Sequence, residues 1–507
     1  MLPADPMPLP LDHLVLRGAD EAAALVLRDR VLTYAELREG VARLAAWLAE
    51  RAAPGERIAS WAAKGELTSL LPLAAARAGL IHVPINPLLK RAQAAHILAD
   101  SGATLLLATS TRLASLGRDD LPQVCVTFAE DDVISQSRQL AQGLPPSHRD
   151  PESLAALLYT SGSTGKPKGV MLSHANLWLG AVSVAQYLGL REDDVTLAVL
   201  PFSFDYGQNQ LLSTWYAGGS VVPLDYLTPR DVSKACARHG VTTLAGVPPL
   251  WVQLLESEWL QDAVAPIRRL TNSGGALTTG LVRALRSTFP QAALYPMYGL
   301  TEAFRSTYLD PALVDRYPTA IGTAIPFAEV LVIDEDGRLS APQVEGELVH
   351  CGPLVAKGYW RDRERTAERF RPAPDASKYG GTAVWSGDRV IRDDAGLLHF
   401  VGRRDEMIKS SGHRISPQEV EAAALATGLV LEAVALGVAD ERTGQTIHLV
   451  VRPPVEGAIG DTANLRKALT AELPGFMQPH AIHWRDALPR NANGKLDRAG
   501  IAADVNR

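Results

Sequence analysis

Residues 159–174, YTSGSTGKPKGVMLSH, decide how the rest of this 507-residue chain is read. In one short loop they gather Gly162, Gly165 and Gly169, the hydroxyls of Thr160, Ser161, Ser163 and Thr164, and the ammonium groups of Lys166 and Lys168. Glycine lets a backbone bend close to a ligand, and hydroxyl and ammonium donors suit phosphate oxygens. The best-known loop of this type reads G-x-x-x-x-G-K-[ST]. With Gly165-Lys166 set at its end, Thr160 stands where the first glycine belongs and Pro167 where the metal-binding hydroxyl belongs. Proline has no N–H to donate. The stretch is therefore a phosphate-type loop that is not a P-loop.

Composition narrows the field. Hydrophobic residues make up 47% and charged residues 21%, which is ordinary globular usage with ample core for two to four folding units. A formal charge of −6 argues against a nucleic-acid partner, whose backbone calls for clustered positive charge. Cys125, Cys236 and Cys351 match no metal spacing and are expected as reduced thiols of a cytoplasmic protein. The N-terminal MLPADPMPLPLDHLVLRG lacks the pattern of a signal peptide. The most apolar stretch, LLPLAAARAGLIHVPINPLL (70–89), is broken by Pro72, Arg77, Pro84 and Pro87, so no membrane span is expected.

Thr33 and Glu36 form a T-x-x-E capping box, and Leu37, Val41, Leu44 and Leu48 follow at helical spacing. Further along, helical patterns alternate with short apolar runs such as GATLLLA (102–108), VTLAVLP (195–201) and GSVVPLD (219–225). The alternation predicts an α/β fold, a large N-terminal body of stacked, mostly parallel sheets covered by helices. RDRERTAERF (361–370) alternates charge sign and reads as a solvated helix. AQGLPPSHRDPES (141–153) is a proline-rich connector. After about residue 405 a helix, a strand pair and a second helix predict a small α+β lobe, which divides the chain into 1–404 and 405–507.

YTSGSTGKPKG closely resembles the signature of the adenylate-forming superfamily of acyl-CoA synthetases, luciferases and peptide-synthetase adenylation domains. The resemblance covers nearly the whole chain. After LLYTSGSTGKPKGVMLSH come YGLTEA (298–303), GELVHCGPLVAKGYW (346–360), WSGDRV (385–390), GRRDEMIKSSGHRISPQEVE (402–421) and PRNANGKLDR (489–498), in family order. It implies an AMP-forming carboxylate–thiol ligase. A carboxylate attacks the α-phosphate of ATP, giving acyl-AMP and pyrophosphate, and a thiol then displaces AMP. A luciferase-like oxygenase would share the fold and the first half-reaction.

By this resemblance the loop 160–169 clasps the β- and γ-phosphates. Tyr298, with Gly299 beside it, would stack on adenine, Thr301 would touch phosphate, and Glu302 would hold Mg²⁺, for which a carboxylate oxygen is the expected ligand. Gly274, Gly275 and Ala276 would border adenine. Asp388 would accept the two ribose hydroxyls, Arg403 would contact the nucleotide, and Arg414 would lie toward phosphate. Lys495 matches the lysine that reaches the carboxylate and α-phosphate during adenylation. Asp405 matches the hinge about which the small lobe rotates between the two half-reactions.

The acid pocket is more individual. Where many acyl-CoA ligases carry histidine, LPFSFDYGQNQLL (200–212) has Phe204. SFDYG also resembles the segment of amino-acid-activating members whose aspartate holds the substrate ammonium, which makes Asp205 an amine-binding candidate. Tyr206, Asn209, Gly246, Ser273, Met297, Arg305 and Ser306 match the other pocket positions, a poor lining for a long alkyl chain. Arg305 could pair with a second substrate carboxylate, or Asp205 and Arg305 could pair with each other. The substrate is expected to be a small amino or polar carboxylic acid, with a fatty or aryl acid as the alternative. IKSSGHRIS looks more like CoA ligases than peptide-synthetase domains. No carrier domain follows Lys495, so the acceptor is expected to be CoA or the phosphopantetheine of a stand-alone acyl carrier protein. LPFSFDYG and YGLTEAFRSTYL most resemble the AMP-forming ligases associated with exosortase A.

Overall fold

The structure is a computed structural model that describes residues 6–160, 167–403, 408–410, 413–440, 444–455, 460–492 and 494–506. The capping box forms as the sequence suggests. Thr33 accepts from the Glu36 amide while Glu36 reaches back to the Thr33 amide, and helix Tyr34–Ala49 buries Leu37, Val41, Leu44 and Leu48.

Two sheets build the large body. In the six-stranded sheet the order is Val126–Ala129, Leu105–Ala108, Arg57–Trp61, Ile81–Pro84, Leu154–Thr160 and Lys168–Ser173. Its first five strands are parallel, and the last pairs antiparallel with Leu154–Thr160. The second sheet has a parallel centre in the order Ala293–Tyr298, Arg269–Asn272, Thr243–Gly246, Val195–Ala198, Ser220–Pro223 and Ala23–Val26. Strands from Thr307 to Arg403 extend it as an antiparallel flank. The parallel centres read as short apolar runs because helices cover both faces. The flank reads as alternation, as in Thr382–Arg392.

The opening loop thus joins two paired strands, Thr160 opposite Lys168 and Tyr159 opposite Gly169. A P-loop instead joins a strand to a helix. Here the helix, His174–Leu188, begins one strand later on the Ser173 cap. The charged stretch near 361 forms helix Arg363–Arg369, capped by Asp362 and burying none of its residues.

Beyond residue 407 a three-stranded sheet, Glu432–Asp440, Gly444–Arg452 and Ala481–Trp484, packs with helices Pro417–Ala426 and Thr462–Glu472 around its own apolar core, including Val420, Leu449 and Leu465. It meets the large body where Asn86 Nδ2 donates to Ala492 O at 2.8 Å and Arg452 pairs with Glu256 at 2.9 Å. The expected division at 404/405 and the hinge residue Asp405 lie outside the described residues. Among the described residues no helix is long and apolar enough to cross a membrane.

Candidate active site

The carboxyl ends of the parallel strands in the second sheet open onto the small lobe. Strand Ala293–Tyr298 leaves the sheet there and turns through Thr301–Ala303 before returning as Thr307–Tyr308. The turn is strained. Phe304 holds φ 60° and ψ −77°, a backbone region that L-residues rarely adopt. Burial holds it there, with the ring packed over Gly180, where a Cβ would lie 2.5 Å from Phe304 Cε1. This distortion sends Thr301, Glu302 and Arg305 to different partners.

On one side, buried Glu302 accepts from Tyr359 Oη at 2.6 Å and pairs with Lys168 Nζ at 3.4 Å. Lys168 donates to the same hydroxyl at 2.6 Å. Burial pushes the Glu302 carboxyl up, but Lys168, the Tyr359 bond and Arg369 outweigh it and hold the acid below its ordinary value. Burial also lowers Lys168, helped by Arg369 and Arg365 against the pull of Glu302. Glu302 is lowered by its cations and Lys168 chiefly by burial, and the cations gathered around the pair favour an added anion. Nearby, Tyr298 Oη donates to Asp388, which also pairs with Arg403 Nε at 3.0 Å. Burial and the Asp388 charge raise the Tyr298 hydroxyl far above its usual value, so it stays a donor.

On the other side, Asp205 begins helix Asp205–Tyr216 and accepts from Thr301 Oγ1 at 3.0 Å. Burial raises its carboxyl, and the charges of Arg305 and Lys495 and the Thr301 bond only partly oppose this. Tyr206 Oη lies 2.7 Å from both the carbonyl and the hydroxyl of Thr271. Among the described residues, buried polar atoms without partners collect here, including Ser203 Oγ, both amide atoms of Gln208, Asn209 Oδ1 and Asn272 Oδ1. Asn272 ends the strand that leads into Gly274, Gly275 and Ala276, all exposed.

Lys495 comes from the hairpin that closes between Arg490 and Leu496, with its amide bonded to Asn491 Oδ1 at 3.1 Å. Its side chain runs over Gly274, where a Cβ would lie 2.7 Å from Lys495 Cε. Gly274 has φ 82°, so both backbone and space call for glycine at this position. Burial lowers the ammonium, Arg403 and Arg305 add to that, and Asp205 opposes it.

Three of the residues expected from the sequence have internal partners in this structure. Thr301, expected at phosphate, bonds Asp205. Tyr298, expected against adenine, is tied through its hydroxyl to Asp388, the ribose candidate. Ser306, expected in the acid pocket, is turned to His350 Nδ1 at 2.9 Å. Met297 accepts from Tyr187 Oη, Ser273 is buried, and Gly246 sits against Trp251. Among the described residues the buried Thr160 hydroxyl has no partner. Ser161, Gly162, Ser163, Thr164, Gly165, Lys166 and the Arg414 side chain lie outside the described residues. Sequence reading missed Tyr359 and Thr271. Tyr359 stood inside AKGYW with no chemical pattern of its own, and Thr271 began the quoted TNSGGAL without a role.

Among the described residues no group of three His, Cys, Asp or Glu could hold a metal by itself. One buried carboxylate suits Mg²⁺, which takes few protein ligands and completes its shell with phosphate and water oxygens.

The sequence profile of AMP-binding enzymes matches residues 14–360, and that of the AMP-binding enzyme C-terminal domain matches 419–495. The chain is 31% identical over 507 residues to L-proline–[L-prolyl-carrier protein] ligase of Pseudomonas fluorescens, covering 97% of this chain and 98% of that one. It is 32% identical over 491 residues to feruloyl-CoA synthase of Amycolatopsis, covering 95% of each. Among solved structures, ATP-bound MatB from Rhodopseudomonas palustris superposes with a TM-score of 0.89 at 27% identity over 99% of both chains. The chain spans only 7% of tyrocidine synthase 3 of Brevibacillus parabrevis, which it matches at 31% identity over 496 residues.

Proposed function

The chain belongs to the AMP-binding enzyme family, and from that premise we propose that it is an AMP-forming carboxylate–thiol ligase. The observation that carries the reading is the convergence, from separate elements, of Lys495, Asp205, Glu302 with Lys168, and Asp388 with Arg403 around the strained Tyr298–Ser306 turn. Two positive centres, Lys168 and Lys495, flank the turn, one toward Glu302 and one toward Asp205. That suits a reaction in which negative charge builds between a carboxylate and a polyphosphate.

In this reading ATP takes the place of internal partners. The ribose hydroxyls replace Tyr298 Oη on Asp388, freeing the tyrosine ring for adenine. Thr160, Lys168 and the glycine-rich loop hold the phosphates. Glu302 would hold Mg²⁺, which supplies charge neutralisation on the triphosphate when bound. Lys495 steadies the acid carboxylate as it attacks the α-phosphorus, whose bond to pyrophosphate breaks. The acyl-AMP then loses AMP to a thiol of CoA or of a carrier protein. The proposed division at 404/405 lets residues 405–507 withdraw Lys495 for that second step. Three buried, unpaired cysteines support a reducing, cytoplasmic setting.

The test is acid-dependent pyrophosphate release from Mg-ATP. Lys495→Ala is expected to lower it by about 1,000-fold, while thioester formation from supplied acyl-adenylate persists. Acid-dependent release that survives in Lys495→Ala would overturn the reading.

A further inference from the structure

Arg305 follows the strained Phe304 and is 1% exposed. Its guanidinium carbon lies 4.5 Å from the centroid of the Tyr206 ring. Among the described residues it forms no hydrogen bond or ion pair, and its Nε is buried without a partner. A buried guanidinium without an anion is strongly unfavourable, and an aromatic face offsets only part of that cost. The adjacent carboxylate does not relieve it. Asp205 is close enough for its charge to be felt, but its Oδ1 accepts from Thr301 and it makes no ion pair with Arg305.

Lys495, Asp205 and Arg305 therefore lie close enough together for each charge to be felt by the others. The proposed function assigns the reacting carboxylate to Lys495. The ligand complementary to the other two carries an ammonium for Asp205 and a second anionic group for Arg305. A dicarboxylic acid without an amine would bring two negative charges against Asp205. A neutral amino acid would leave Arg305 buried and unpaired. The cavity lined by Arg305, Tyr206, Asn209 and Met297 is about 30 Å³, room for one or two waters, so little chain can extend past the guanidinium.

We infer that the acid is a short amino-dicarboxylic acid, held by its amine on Asp205 and by its second carboxylate on Arg305. This rests on the adenylation reading above.

The experiment is pyrophosphate exchange in the wild-type protein with aspartate, glutamate, asparagine, alanine and succinate, repeated in Arg305→Met. The expected result is a kcat/KM for aspartate or glutamate at least about 100-fold above the other three acids. Arg305→Met should reverse the acidic-to-neutral preference by a similar factor, with the KM for ATP within about threefold of wild type. The wild-type ranking needs no variant, so it decides even if Arg305→Met folds poorly. A wild-type preference for alanine or asparagine, succinate as good as aspartate, or an unchanged preference in folded Arg305→Met would each overturn the inference. In the first two cases exchange still occurs and the adenylation reading stands. Exchange with none of the five acids overturns the inference, and the pyrophosphate-release test then decides the adenylation reading separately on a wider acid panel.

Discussion

The two sides of the Tyr298–Ser306 turn handle buried charge in opposite ways. Toward the nucleotide, Glu302 has Tyr359 and Lys168, and Asp388 has Tyr298 and Arg403. Toward the acid, among the described residues, the side-chain partner of Asp205 is the Thr301 hydroxyl, and neither the Lys495 ammonium nor Arg305 has a hydrogen-bond or ion-pair partner. The carboxyl shifts follow suit, with Glu302 held down by its cations and Asp205 pushed up by burial. On the nucleotide side the carboxylates of Glu302 and Asp388 have partners before ATP arrives and exchange internal partners for ligand. The acid side stores unsatisfied charge that only a matching ligand relieves, which is how a pocket gains selectivity at the expense of apo stability.

If this contrast is right, substitutions on the two sides should move stability in opposite directions. The largest effect is expected for Glu302→Gln. It should lower kcat/KM for Mg-ATP by about 100-fold and, by leaving Lys168 without its anion, lower Tm by roughly 2–5 °C. Steady-state kinetics and a thermal melt check both, and an unchanged Tm would break the contrast.

Tyr359→Phe removes the hydroxyl between Lys168 and Glu302. The KM for Mg-ATP should rise on the order of tenfold while the KM for the acid stays the same. A change confined to the acid KM would instead place Tyr359 on the other side of the turn.

The smallest effect is the most discriminating. The Asp205 carboxyl is raised above its ordinary 3.8, so its charged form is disfavoured in the folded protein. The resulting penalty is absent below the unfolded value and fully present above the folded one. Asp205→Asn should therefore raise the apo Tm by roughly 1–2 °C at pH 7.5, and the gain should fade as pH drops toward 3.8. A lower Tm at pH 7.5, in melts run across that pH range, would mean that Asp205 is already well paired.

Particular residues show how far the sequence could be read. The Thr33–Glu36 cap and the helix behind it were legible because a capping box is a local contact and its apolar spacing repeats within a few turns. The solvated helix at Arg363–Arg369 was legible for the same reason. The antiparallel flank was less so, because Thr307–Tyr308 pairs across to Ala320–Ala324, and Ala320–Ala324 to Leu398–Arg403 far along the chain. The partner of Ser306 was not legible, because its contact with His350 joins residues 44 apart in the chain.

By itself the sequence determined the family, the α/β class, the order of motifs and most of the charged residues that meet at the cleft, because these are carried by residue type and by spacing along the chain. Only the tertiary structure decided which of those charges are already paired. Whether Lys168 finds Glu302 through Tyr359, and whether Arg305 finds Asp205 or stacks on Tyr206 instead, depends on strands and turns that are distant in sequence. Pairing needs distances of a few ångströms, and only the packed fold sets those.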